Sequence, residues 1–365
     1  MGAKATFRVN NREELLGATE GMGARPDRPV LAEEFLRGEE GSCDTLTIGG
    51  NFEFEYQQNS SDKINHDTPS FDPGLAKRKL EVFFDFSSIG KFSLGHGPTA
   101  SDSTSEVDLS GSKVAGHSRT NLWAADYNWF ETTSQVHSSD SVDTVINNLD
   151  GNGRKDRLRY DTPKFGGFMI SASTFAQDVE KTNDVIVDKY DSAFDVALRY
   201  SGKFGDSTKL AAAIAYSDYP STDASEALDN QLNGSISVLF SGFSLTFAGG
   251  QRERANVATN RADTGMYYYG KLGYIANLTA AGKTAFAIDY GTHEELSRVK
   301  DDKADTYALY AVQKLDKYST EVYAGYRVYQ RDDLSSNAFD SAGVSRAGEK
   351  FDDITGLFFG ARIKF

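Results

Sequence analysis

The chain has 365 residues, and its 39 Lys and Arg against 53 Asp and Glu give a formal net charge of -14. That balance argues against a nucleic-acid partner, because a phosphate backbone is bound through cations. A single cysteine, Cys43, excludes an intrachain disulfide and argues against a cysteine-built metal site, and no apolar run approaches the roughly 18 residues of a membrane helix.

Met1 to Val9 lacks the apolar core of a signal peptide, so either a leader has been removed and a Met supplied, or the sequence begins inside a longer product. Ala5, Phe7 and Val9 alternate with Thr6, Arg8 and Asn10 as a short strand. Residues 11–43 are acidic and irregular and read as a loop. The clearest alternation follows, with Leu46, Ile48, Phe52, Phe54 and Tyr56 on one face and Thr45, Thr47, Asn51, Glu53 and Glu55 on the other. A helix would space its apolar residues by three and four. Leu80 to Phe86 and Phe92 to Leu94 repeat the pattern around the turn Ser88-Ile-Gly. A long polar stretch, Glu106 to Pro163, then interrupts it.

From the end of that stretch onward, alternating runs resume at Arg157–Tyr160, Phe168–Ala172, Phe194–Tyr200, Leu210–Tyr216, Ile236–Phe240, Phe243–Phe247, Met266–Tyr274, Thr284–Tyr290, Tyr307–Val312, Val322–Val328 and Leu357–Phe365. Periodicity leaves the facing of Tyr307–Val312 open. Short turns such as Ser241-Gly242 alternate with long acidic connections such as Gln177–Lys189, His293–Ala304 and Gln330–Phe351. Short turns on one rim and long loops on the other are the pattern of an outer-membrane barrel. No helical segments separate the runs, which excludes a βαβ architecture.

About fifteen such runs would close a bore too wide for side chains to fill. The apolar faces therefore point into lipid and the charged faces line water. The expected fold is all-β: a transmembrane, antiparallel, up-and-down β-barrel of about sixteen strands, with fifteen runs visible. It forms a single domain over residues 1–365, with residues 98–156 folded into the lumen as a constriction loop.

Lys91-Phe-Ser-Leu-Gly95, Thr99 to Gly111, Arg157 to Phe168, and Phe351-Asp-Asp-Ile354 with Gly360 to Phe365 resemble the Gram-negative general porins, most closely the diffusion porins of marine proteobacteria. The resemblance runs from about residue 44 to the terminal Phe365. It implies an outer-membrane homotrimer, in contact with membrane lipid and lipopolysaccharide, that passes small hydrophilic solutes and ions without catalysis. Met1 to Asn10 aligns with the family's second strand, so the irregular N-terminal segment, residues 1–43, is expected either to lack the first strand or to close the seam irregularly.

The acidic candidates at the constriction are Glu106, Asp108, Asp126 and Glu131, and the basic candidates on the pore wall are Arg8, Lys79, Arg157, Arg159 and Arg199. Opposed charges across a bore make a transverse field that disfavours apolar solutes. The plain alternative is solvated loop charge and general lumen polarity. Asn277 breaks the Walker-like Gly282-Lys-Thr, and Arg154 occupies a ligand position of the calcium-loop-like Asp150–Asp156. No cofactor is expected beyond weak calcium binding by the acidic outer loops. The five histidines show no metal spacing, and no nucleophile–base pair stands out. A solute-specific channel for phosphate or a sugar, or a barrel adhesin or enzyme, are the alternatives to a passive channel.

Overall fold

The structure, a computed structural model, describes residues 45–57, 59, 63–70, 74–176, 180–182, 185–187, 192–219, 227–340 and 343–364. The run Ala5–Val9, the rest of the segment to residue 43, and Arg8 with them lie outside the described residues.

In chain order the strands are β1 (Leu46–Tyr56), β2 (Leu75–Phe86), β3 (Gly90–Pro98), β4 (Asn128–Glu131), β5 (Val136–Ser141), β6 (Arg154–Asp161), β7 (Phe168–Ala176), β8 (Glu180–Thr182), β9 (Val185–Val187), β10 (Ser192–Phe204), β11 (Thr208–Asp218), β12 (Ala227–Phe240), β13 (Phe243–Ala255), β14 (Thr264–Thr279), β15 (Gly282–Glu294), β16 (Lys303–Leu315), β17 (Thr320–Arg331) and β18 (Ile354–Ile363). Two hairpins, β4–β5 and β8–β9, stand apart. The other fourteen strands form one antiparallel sheet, each paired with its neighbours in sequence order, and among the described residues β1 and β18 are its edges. They coincide with fourteen of the fifteen alternating runs, and the fifteenth is Ala5–Val9. No helix among the described residues is long and apolar enough to cross a membrane.

Turn chemistry fixes the meander. Between β12 and β13 the chain reverses over Ser241 and Gly242, both with positive φ (48° and 91°). That is the conformation whose twist matches two flanking strands, and glycine adopts it without steric cost.

The sheet is apolar on its outside. Along β13, Phe243, Leu245 and Phe247 are exposed while Ser244 and Thr246 are buried. The same alternation settles residues 307–312: Tyr307 and Leu309 face outward, and Tyr310 and Val312 face inward. Exposed Leu, Ile and Phe on nearly every strand would be untenable in water and are the natural contact with hydrocarbon.

The inward face is buried because the chain fills it. Residues 99–153, between β3 and β6, run inside the barrel, and their apolar side chains pack on the wall in separate patches rather than one core. Trp123 of this inward loop stacks on Phe358 of β18 with ring centroids 4.6 Å apart. Leu149 packs with Tyr267 and Tyr269 of β14.

Candidate functional site at the inward loop

The neck of the loop is strapped down by arginine. Arg157 on β6 donates from Nε to the Pro98 carbonyl (3.0 Å) and is ion-paired with Glu81 of β2, both side chains being buried. Two residues along the same face, Arg159 donates to the Thr99 carbonyl (2.7 Å) and grips both carboxylate oxygens of Asp161. Arg199 on β10 donates to the carbonyls of Ala100 (2.6 Å) and Asp102 (2.8 Å). A turning backbone has no ladder to satisfy its carbonyls, and the guanidinium fork supplies several fixed donors at once. Opposite, Asp195 accepts the Ser101 amide at 2.9 Å.

Past the neck the loop lies extended on β12. The inward row of that strand, Gln231, Asn233, Ser235 and Ser237, is short and polar. Ser235 Oγ accepts the Val107 amide (2.9 Å), Ser237 Oγ accepts the Leu109 amide (3.0 Å), and Ser235 donates to the Thr104 carbonyl (2.6 Å). Hydroxyls placed every second residue stand in for the backbone of a missing neighbour strand.

Asp108 then meets the wall. Its Oδ2 lies 2.7 Å from Lys271 Nζ on β14, and Lys271 also donates to the Gly116 carbonyl at 2.8 Å. Burial opposes the Asp108 carboxylate, but the Lys271 charge outweighs it and holds the pKa below the usual range. Glu106 turns to its own loop, 3.4 Å from Lys113 Nζ and 3.6 Å from His117 Nδ1. Burial raises its pKa, and the charges of His117 and Lys113 reverse that to a net lowering. His117 is enclosed, and burial lowers its own pKa. On the returning limb, Asp150 accepts the amides of Ser103 (3.0 Å) and Ser105 (2.8 Å). Burial and then the Glu106 charge push its pKa up to about 8. Burial also raises Asp102.

The middle of the loop is held from outside the wall. Asp126 accepts from Asn65 of the β1–β2 connection (2.9 Å). Glu131 accepts from Ser134 (2.7 Å) and is paired, strand to strand, with Phe351 of the β17–β18 connection.

Of the acidic candidates, the structure therefore places Glu106 and Asp108 in the extended part of the loop and Asp126 and Glu131 against outer connections. The described basic candidates, Lys79, Arg157, Arg159 and Arg199, all face inward, with Lys79 3.0 Å from Glu53. Asp102, Lys113, Asp150, Asp195 and Lys271 join them although patterning alone did not single them out. Lys271 stands as the one charge of the run Met266–Tyr274, and that was the available signal; Asp195 shares the run Phe194–Tyr200 with Arg199. Among the described residues no group of three or more His, Cys, Asp or Glu is arranged to hold a metal.

A barrel that is apolar outside, polar inside and narrowed by a strapped loop is an outer-membrane β-barrel channel. A family model for the Gram-negative porins matches residues 36–334, and the chain belongs to that family. It is thus a porin of the bacterial outer membrane, a channel protein and not an enzyme. Among solved structures it is similar to an anion-selective porin from Comamonas acidovorans, with 16% identity, a TM-score of 0.52, and coverage of 87% of this chain and 84% of that one. It is also similar to the in-vitro folded outer-membrane protein OmpT of Vibrio cholerae (14% identity, 87% and 84% covered, TM-score 0.47) and to the outer-membrane channel DcaP of Acinetobacter baumannii (10%, 87% and 82%, 0.46). No curated protein matches the sequence.

Proposed function

We propose that this porin is a passive, weakly selective diffusion channel for small hydrophilic solutes and ions, with residues 98–156 as its constriction loop. The observation that carries this reading is how the inward arginines are used. A channel built to bind phosphate would present free guanidinium groups to the solute. Here Arg157, Arg159 and Arg199 direct their donors at the loop's own carbonyls or at Glu81 and Asp161. They act as fasteners, and these three offer no free guanidinium cradle to an anion. The remaining fixed charges set a transverse field rather than a binding site.

Assembly as a homotrimer, with the apolar belt meeting lipid and lipopolysaccharide, belongs to the same reading and rests on the family resemblance. The motifs Lys91–Gly95, Thr99–Gly111 and Arg157–Phe168 support a place nearest the diffusion porins of marine proteobacteria. Purified protein in planar bilayers tests the proposal. Large ohmic steps whose conductance follows salt concentration without saturating are expected. Block by micromolar phosphate or sugar would move the assignment to a solute-specific channel, and a silent bilayer would end both.

A further inference from the structure

The middle of the constriction loop is joined to the outer connection 332–353 by contacts that conduction itself does not require. The hairpin β4–β5 is bridged to that connection: the Thr132 amide donates to the Lys350 carbonyl (2.8 Å), the Asp352 amide donates to the Phe130 carbonyl (3.1 Å), and Glu131 forms an isolated bridge with Phe351. One carboxylate oxygen on β5 then ties three elements together. Asp140 Oδ2 accepts from Arg346 Nη1 of the outer connection at 2.6 Å and from Arg331 Nη2 at the end of β17 at 2.9 Å. Arg331 also holds both oxygens of Asp302, in the β15–β16 connection (2.9 and 2.8 Å), and its guanidinium lies 4.3 Å from the Phe351 ring centroid. Arg346 is completed by Ser138 (3.2 Å) and Glu349 (2.9 Å).

We infer that Asp140, Arg331 and Arg346 form a latch through which the outer connection 332–353 holds the constriction hairpin in place, so that displacement of that connection at the cell surface is felt at the pore. The division of labour follows from the geometry. Arg331 binds the hairpin to the barrel wall, and Arg346 binds it to the outer connection. A charge-assisted contact of this kind is directional and, between enclosed partners, is not replaced by water without loss. Removing Arg346 leaves Asp140 paired with Arg331, so the hairpin stays on the wall while its charged link to the outer connection is lost and the backbone contacts at Thr132, Glu131 and Phe130 remain. These are positioning residues for the permeation path and rest on the channel reading above.

The test is single-channel recording of Arg346→Met beside the unaltered protein. The latch predicts an unchanged open step and spontaneous closures about ten times as frequent, the change expected from losing one charge-assisted contact. A cysteine pair, Glu131→Cys with Phe351→Cys on a Cys43→Ser background, reconnects the same elements covalently. Its oxidation in the Arg346→Met protein should return closures to the unaltered frequency, and reduction should release them again. Arg346→Met channels that gate like the unaltered protein, or a complete cross-link that leaves closures untouched, would overturn the inference. Should Arg346→Met fail to reach the barrel form, the cross-link alone decides: it must suppress the residual closures of the otherwise unaltered channel. A protein without any conductance would sink the channel reading instead. The latch is then read from amide exchange at Thr132 and Asp352, which Arg346→Met must accelerate.

Discussion

Lys271 on the barrel wall and Asp108 on the inward loop form a buried ion pair, with Nζ and Oδ2 2.7 Å apart. The contact joins residues 163 positions apart in the chain and fixes where the loop crosses the wall. A buried pair of this kind is dangerous to break from one side, because the surviving charge is left without a partner. Lys271→Met should destabilise the folded barrel by about 3–5 kcal/mol, and adding Asp108→Leu should recover most of that loss. The readout is urea unfolding followed by heat-modifiable gel mobility. A double variant as unstable as the single one would show that the pair does not act as a unit.

The two faces of the sheet should differ in tolerance. Ile288 lies in the middle of β15 and is exposed on the outer face. Ile288→Arg should cost about 2–4 kcal/mol if the position lies at the bilayer midplane. Lys113→Gln, at a half-exposed position of the inward loop, should leave folding unchanged and alter conductance only. Equal loss of folded barrel in both variants would show that the facing is misassigned. Glu53 is a less suitable lumen control than its place in the alternation suggests. It is buried and paired with Arg78 and Lys79, so Glu53→Arg would bring three cations together and disturb folding as well as conductance.

The wall was legible in the sequence because a half-lipid, half-water strand writes its facing at period two. Even Tyr307 to Val312 resolves once its neighbours are in register, with Ile288 opposite Leu309 on the outer face. The loop was legible as an interruption of that pattern. What it does inside was not. Asp108 and Lys271, or Trp123 and Phe358, are far apart in sequence, and nothing local to either residue names the other. The inward row Asn233, Ser235 and Ser237 looked like ordinary lumen polarity and is a hydrogen-bonding rail. Arg159 and Arg199 looked like free charge and are fasteners.

The return of the loop to the wall depends on a glycine. Gly151 has φ of 61°, and a Cβ there would collide with the carbonyl and hydroxyl oxygens of Ser101 at the neck. Gly153 has nearly the same φ, 60°, but open space around its Cβ position. Gly153→Ala should therefore cost only the left-handed backbone term, about 1–2 kcal/mol. Gly151→Ala adds the collision, for a further loss of about 1–3 kcal/mol. Parallel urea titrations separate the two. Equal costs would mean that the neck yields freely to the returning limb.

Asp150 should make the pore respond to pH near neutrality. Its pKa stands at about 8, raised first by burial and then by the neighbouring Glu106 charge, with Asp102 adding to the effect and the Ser103 and Ser105 amides pulling against it. The folded protein thus holds a proton there that the unfolded chain has already lost, so stability falls as pH rises from the ordinary carboxylate range to about 8 and levels off beyond it. In the open channel the same ionisation adds a negative charge beside Glu106 and Asp102. The cluster faces Lys113, 3.4 Å from Glu106, and Arg159 and Arg199 on the neck. Between about pH 7 and about pH 9 the reversal potential in a salt gradient should therefore move toward greater cation preference. Asp150→Asn removes the titrating group and should flatten both the stability and the selectivity profiles over that interval. If Asp150→Asn and the unaltered protein shift in parallel between those pH values, the charge that titrates in the pore belongs to another residue.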